Sequence, residues 1–423
     1  MQISSDTTRR TVSTVRLRSR SRLLFAKVVL VIVGVIAGLL VAEAGLRLYG
    51  FNYFNPYIVD QDLGHSLRPN AEGWWNREGL TYVKINSQGF RDREHSVAKP
   101  PDTFRIAILG DSFAEAFQVP SEKTFWSVIE AKLQQCPQTA KKKVEVLNFG
   151  VSGFSTAREL ILLRNRVWQY SPDLVILLVT IANDIRDNSP RLNAYSGQPL
   201  PYFIFRDGNL VLDDSRVAAR NRTLIFRLQK SFVGNLYHWL QAHVRILGLI
   251  YAVREGNQST RLSKGDKPDS SDPGGGNEPG LDQEVYRPSA TPEWEEAWRI
   301  TEALILKMRD EVQVRGAKFL VVTGSSGIQV SPDATARKAF MNSLGISTLF
   351  YPDERIKSLG QAAGFDVLNL APSLYEYASA NGVFVHGTAE TGGRGHWNQT
   401  GHRLAGEIIA NEICRANQVS GGF

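Results

Sequence analysis

The sequence predicts an α/β fold: a three-layer α/β/α sandwich around a central parallel sheet of about five strands, preceded by one transmembrane helix. Three observations carry this. Five short runs rich in β-branched residues, RIAIL (105–109), VEVLNF (144–149), LVILLVT (174–180), KFLVVTG (318–324) and DVLNL (366–370), are apolar throughout rather than alternating. Strands of that kind are buried on both faces. Helical patterns lie between them, which implies right-handed crossovers and a parallel sheet covered on both sides. The third observation is the stretch LLFAKVVLVIVGVIAGLLVA, residues 23–42, interrupted only by Lys27.

Taken in order, residues 1–22 hold six arginines and one aspartate. The chain's formal charge is +7, so this tail supplies +5 and the other residues only +2. A basic face on a folded domain is what nucleic acid requires, and a basic tail is not that, so no nucleic-acid partner is expected. The apolar stretch would rise about 30 Å as a helix, enough to cross a bilayer with Lys27 snorkelling at one end. Residues 23–46 are therefore read as a signal anchor in the lipid bilayer, with a cytoplasmic N-terminus and an exported body. A cleaved signal peptide is the rival, because Ala42-Glu43-Ala44 has the small-x-small form of a cleavage site. A lead-in segment (47–100) precedes the main domain, 101–423.

Within that domain, helices are expected over Thr124–Gln135, Thr156–Tyr170, Glu293–Val314 and about His402–Ala416. Thr291 can N-cap the third of these and Pro292 suits its first turn, ahead of a stripe of Trp294, Trp298, Ile305, Met308 and Val312. Residues 190–255 read as an insertion that covers or borders a site: YFIFRDGNLVLDD resembles a hairpin turning at Asp207-Gly208-Asn209, and Leu224–Tyr251 is amphipathic and aromatic. Residues 256–292, dense in Gly, Ser, Pro and Asp, read as a flexible linker. Cys136 and Cys414 are the only cysteines. They could pair in an oxidising compartment or remain unpaired core residues.

The chemistry gathers at strand ends. Gly110-Asp111-Ser112 stands where the first central strand finishes, the edge at which doubly wound sheets bind ligands. Ser112 is a candidate nucleophile, although an Asp or Ser N-cap would produce the same tripeptide. NFGVSGFST (148–156) follows the second strand and TIANDIRDN (180–188) the third. The backbone N–H groups of Ser112 and Gly153 and the side-chain amide of Asn183 make a candidate oxyanion hole. Turn formation is the plainer role for Gly153 and Asn183. Free serine is a poor nucleophile at neutral pH and needs a base. His396, in the loop GHWNQTGHRLAGEII (395–409), is that base, whereas His402 at the following helix start suits a structural hydrogen bond. Asp111, Asp184 and His386 are expected to support the site. No local ligand motif points to a metal, and no cofactor is expected.

These blocks resemble the SGNH (GDSL-type) hydrolase superfamily, whose four blocks contribute Ser, Gly, Asn and His, here Ser112, Gly153, Asn183 and His396. INSQGFRDREHS (85–96) is similar to the lead-in of membrane-anchored bacterial members. The resemblance implies a sandwich of flavodoxin-like type, a bacterial inner-membrane location with the catalytic domain periplasmic or extracellular, and an ester substrate. Two positions depart from it. Ala182 replaces a usual glycine, and Arg394 and Gly393 stand where relatives carry an acid before the histidine. An acid holds the imidazole tautomer and stabilises its cation. Glu390, six residues before His396, is the nearest candidate; a Ser–His dyad is the alternative.

The function expected is a membrane-anchored serine esterase acting on an O-acyl, above all O-acetyl, ester of a small molecule or envelope glycan through an acyl-serine intermediate. An O-acyltransferase would use the same serine and histidine. A catalytically silent scaffold or glycan-binding protein would keep the fold without the acid.

Overall fold

The computed structural model describes residues 7–137, 142–193, 197–254 and 282–419. Much of the stretch expected as a linker, 256–281, lies outside the described residues. The described residues form two compact units, one of residues up to Tyr53 with Asn235–Arg254, the other of Phe54–Gly234 with the residues from Asp282 onward.

In the smaller unit a helix over Thr7–Leu48 contains the apolar span. Leu23–Leu48 is long and apolar enough to be a candidate membrane span: its most apolar 18-residue window has a mean hydropathy of 2.8, and none of that window is buried. Helices at Phe232–His243 and 245–254 follow later in the chain.

The larger unit begins with two antiparallel hairpins, β1 (Tyr57–Asp60) with β2 (Gly64–Leu67), and β3 (Glu72–Trp75) with β4 (Thr81–Lys84). Their inward side chains join Phe54 and Phe117 in a small separate core of Leu67, Ala71, Val83 and Ile85. The central sheet contains β5 (Thr103–Leu109), β6 (Lys143–Asn148) and β7 (Leu174–Thr180). After the hairpin of β8 (Tyr202–Arg206) and β9 (Asn209–Asp213), β10 (Lys318–Gly324) and β11 (Asp366–Asn369) complete it. The order is β11-β10-β7-β5-β6, and every pairing is parallel. This is the flavodoxin-like strand order, in which the crevice opens between β5 and β7, where the connections depart in opposite directions.

The two-residue period of a strand explains the continuous apolar runs. Phe104, Ile106 and Ile108 of β5, with Leu174, Ile176 and Leu178 of β7, face helices Phe125–Gln134, Ala371–Asn381 and Gln399–Val419. Ala107, Leu109, Val175, Leu177 and Val179 face the opposite layer, where helices Thr156–Leu162, Pro292–Val314 and Tyr351–Ala363 pack. Thr291 caps the long helix by accepting from the Trp294 N–H, and all five residues of its apolar stripe are buried. The β8–β9 hairpin turns through Asp207 and Gly208, both at positive φ, and inserts Phe203 into this second core. Cys136 and Cys414 form a disulfide joining the end of one helix of the first layer to the C-terminal helix.

Candidate active site

Ser112 opens a one-turn helix, Ser112–Glu115, directly after β5. The local sequence forces that geometry. Asp111 is a buried N-cap whose Oδ1 accepts from the Phe113 N–H at 3.0 Å and the Thr180 hydroxyl at 2.9 Å, while its Oδ2 accepts from the Asn183 side-chain amide at 3.2 Å. Asp111 therefore caps the turn and ties the β5 loop to the β7 loop. Burial raises its pKa, partly offset by those three donors and by His396. Ala116 ends the turn in the left-handed region at φ 56°, and its carbonyl accepts from buried Arg91. Arg91 belongs to the 85–96 motif and also donates to the Glu115 carbonyl at 3.0 Å. Asp92, the next residue, accepts the Asn148 N–H at 2.8 Å. The motif is thus a brace between the serine turn and the end of β6.

His396 approaches from the C-terminal side of the domain. Its Nε2 lies 2.8 Å from the Ser112 Oγ, and its Nδ1 lies 2.6 Å from the Glu78 Oε2. The same Glu78 oxygen accepts the His396 backbone N–H at 3.2 Å. With Nδ1–H donating to the carboxylate, the Nε2 lone pair is left to accept from the serine hydroxyl. The expectation that Glu390 would orient the imidazole is corrected here, because the position at Nδ1 belongs to Glu78 while Glu390 is exposed in the 387–395 loop. Glu78 comes from the turn between β3 and β4, some 318 residues away in sequence. It adopts φ 58°, in the left-handed region that a non-glycine residue enters only when its surroundings compel it. Gly79 is the reason the turn can lie so close: a Cβ there would stand 2.4 Å from the Gln118 carbonyl oxygen.

Charge follows this geometry. Burial works against the His396 cation, but the hydrogen bond and charge of Glu78, helped by Asp111 and Glu115, outweigh it and raise the pKa above the usual histidine value. Burial likewise pushes Glu78 up, and its hydrogen bond to and attraction for His396 bring it below the usual carboxylate range. The His396 and Glu78 side chains remain 30% and 40% exposed, so the pair stands at an open rim. A cavity of about 230 Å³ adjoins them, lined among others by Glu78, Thr81, Gln118, Thr388, His396 and Asn398.

Gly153 lies at φ 72° in the loop after β6. That loop is held from behind by half-buried His65, whose Nε2–H donates to the Ser152 carbonyl at 2.8 Å, and by buried Glu115, which accepts the Ser152 N–H at 2.7 Å and the Tyr57 hydroxyl at 2.6 Å. Among the described residues neither the Ser112 nor the Gly153 backbone N–H has a hydrogen-bond partner in the protein. One Asn183 amide hydrogen goes to Asp111, which fixes that side chain and leaves its second hydrogen to another acceptor. The three groups follow β5, β6 and β7 at one sheet edge.

Asp184 and His386 support this arrangement from within. Asp184 accepts the Thr180 N–H at 2.8 Å, and burial, together with the like charges of Glu159 and Asp111, raises its pKa well above the usual value. His386 is 1% exposed and braces the His396 loop rather than lining the crevice: its Nδ1–H donates to the Gly395 carbonyl and its Nε2 accepts from Ser325, both at 2.8 Å. His402 is also buried, accepting the Phe125 N–H at 3.3 Å and meeting Gln118 at 3.2 Å. Three residues of the site escaped the sequence reading: Glu78, Glu115 and Arg91. The one available signal was an acid followed by glycine in a tight turn between WW and TYV.

No family model and no curated protein matches the chain. Solved structures similar to it include the acetyl xylan esterase AlAXEase, at 13% identity and TM-score 0.35, covering 73% of this chain and 100% of that one. A catalytic mutant of an acetylxylan esterase from Geobacillus stearothermophilus is similar at 12% identity and TM-score 0.37, over 73% and 94%. A lipolytic protein of the G-D-S-L family from Desulfitobacterium hafniense is similar at 10% identity and TM-score 0.33, over 73% and 98%.

Proposed function

We propose that this protein is a serine esterase of SGNH type, anchored in a bacterial inner membrane with its catalytic body outside the cytoplasm, that cleaves an O-acyl ester, above all an O-acetyl ester of a glycan. The observation that carries the reading is the unbroken chain Ser112 Oγ to His396 Nε2 at 2.8 Å and His396 Nδ1 to Glu78 at 2.6 Å. Residues with those three chemistries in that order are what nucleophilic acyl transfer requires.

His396 accepts the Ser112 proton as Oγ bonds to the acyl carbon, and the carbonyl electron pair moves onto oxygen. The N–H groups of Ser112, Gly153 and Asn183 receive that oxyanion, each worth about 3 kcal/mol in the transition state. The imidazolium, held by Glu78, returns the proton to the departing alkoxide, leaving an acyl-serine. Water then gives a proton to His396 and attacks the same carbon, and the serine is regenerated with release of the acid. A carboxylate at Nδ1 favours this over the silent scaffold, whose premise was a missing acid. The open rim at Glu78 and His396 suits an ester on a bulky glycan rather than a fully engulfed ligand.

The test is labelling of the detergent-solubilised protein with a serine-directed phosphonate, alongside hydrolysis of an aryl acetate. Ser112→Ala and His396→Ala should lose both. Labelling or turnover that survives in either variant overturns the assignment.

A further inference from the structure

The smaller unit carries apolar surface beyond its span. Trp239 and Ile250 are 54% and 50% exposed, and Leu236, Tyr237, Leu249 and Val253 are open as well. They lie on two consecutive helices, the one ending at His243 and the one over 245–254, in which positions 249, 250 and 253 share a face. A soluble protein seldom leaves that many large apolar side chains together in water.

The break between these helices is clamped to the last turns of the anchor helix. Glu43 accepts the Arg245 and Ile246 backbone N–H groups, each at 3.1 Å, which caps the second helix. Arg47 donates to the His243 carbonyl at 2.7 Å and is paired with Glu43 at 2.8 Å. Arg245 donates to Asn52 at 2.5 Å. The apolar run from Leu23 to Ala42, with Lys27 snorkelling, has the length of one hydrocarbon core, about 30 Å, so Glu43 falls at the far boundary of the bilayer. Whatever Glu43 caps is held at that depth. Tryptophan and tyrosine on an otherwise aliphatic surface suit the headgroup layer, where an amphipathic helix buries its apolar face about 5–10 Å deep.

We propose that residues 236–253 form a membrane-surface platform, whose Leu236, Trp239, Leu249, Ile250 and Val253 insert into the extracytoplasmic leaflet of the bilayer that the anchor spans. The proposal rests on the anchored reading above. It gives the smaller unit a second membrane contact in addition to the span. The occupant is lipid because Glu43, at the anchor's end, holds this patch at the bilayer boundary.

The experiment uses full-length protein in phosphatidylcholine vesicles containing a mixture of lipids with a nitroxide near the headgroup end of the acyl chain and lipids with a nitroxide near its far end. Single cysteines, Ile250→Cys, Gly34→Cys within the span and Asp310→Cys on the larger unit, each carry a small fluorophore; the native cysteines are occupied in their disulfide. Gly34 and Ile250 labels should both be quenched, the Ile250 label about threefold more than the Asp310 label. Quenching at Gly34 with Ile250 no different from Asp310 overturns the platform and leaves the anchor standing. Absence of quenching at Gly34 overturns the anchor and the platform with it. Ile250 labels that escape lipid quenching but transfer energy between molecules assign the patch to a second copy and overturn the proposal.

Discussion

Replacing Glu78 by glutamine keeps the size of the side chain and removes the charge that faces the imidazole. In the wild type the carboxylate oxygen and Nδ1 are 2.6 Å apart, which puts the two charge centres about 4 Å apart once His396 is a cation. Attraction at that distance is about 4 kcal/mol in a protein-surface environment and about 1 kcal/mol in bulk water. Exposures of 40% and 30% place this pair between those limits, at about 2–3 kcal/mol. Since each 1.4 kcal/mol is tenfold, Glu78→Gln should lower kcat/KM about 30- to 150-fold. That is less than the ~10⁴-fold loss when the buried triad aspartate of a serine protease becomes asparagine, because here water can partly replace the acid. The acid limb of the pH profile should also move. Glu78 overcomes the burial penalty to raise the His396 pKa, so its removal lets that pKa fall and shifts the limb to lower pH while the plateau drops. The assay is kcat/KM for an aryl acetate between pH 5 and 9. A plateau within about threefold of wild type, or a limb that stays in place, would refute the role of Glu78.

Three further outcomes follow from the same geometry. Gly79→Ala places a Cβ 2.4 Å from the Gln118 carbonyl oxygen and should push Glu78 away, giving a kcat/KM loss no larger than Glu78→Gln and the same shift of the acid limb; an unshifted limb counts against it. His386 is buried and neutral, its pKa lowered to about 4 by burial, so the folded state binds fewer protons than the unfolded chain between about pH 6.5 and 4 and loses stability as pH falls through that window. His386→Gln should therefore be less stable than wild type at pH 7 by urea denaturation, with the gap closing by about 1.4 kcal/mol per pH unit below 6.5; a gap independent of pH excludes the buried neutral imidazole. The Cys136–Cys414 bond closes a loop of 278 residues, and its reduction should cost about 2–5 kcal/mol of stability, seen as a lower urea midpoint, whereas an unchanged midpoint would mean that the unfolded chain is not constrained by it.

The sheet was legible because its strands are short and buried on both faces: RIAIL falls within Thr103–Leu109, and LVILLVT coincides with Leu174–Thr180. The hairpin at Asp207-Gly208 and the cap at Thr291 were legible for local reasons, turn chemistry in one case and side-chain acceptance in the other. The serine and histidine could be found because each stands at a strand or helix end with a distinctive neighbourhood. Glu78 could not. Glu390 is the acid nearest His396 along the chain, whereas the Glu78 contact joins segments that only the folded hairpins bring together, and sequence distance carries no information about that. Glu390 failed for the complementary reason: closeness in sequence within a glycine-rich loop left it in solvent. The disulfide lay beyond the sequence on the same ground, since two cysteines so far apart fix no geometry until the outer helices pack.

The source of the acid has a consequence for how the site is assembled. A two-stranded ribbon such as β3–β4 is marginal alone, and its position depends on the small core formed by Phe54, Leu67, Ala71, Val83, Ile85 and Phe117. Phe117 belongs to the loop that follows Ser112, and Arg91, from just beyond β4, holds that same loop by its carbonyls. The serine turn and the acid turn thus share one set of contacts, separate from the two large cores on the sheet faces. A change that loosens this small core moves Glu78 without unfolding the sheet, and the Ser112–His396 pair, built on the sheet edge and the C-terminal helix, persists with reduced basicity. On the proposed function, activity should accordingly be weakened in steps: first the orientation and charge supplied by the hairpin, then the proton transfer itself.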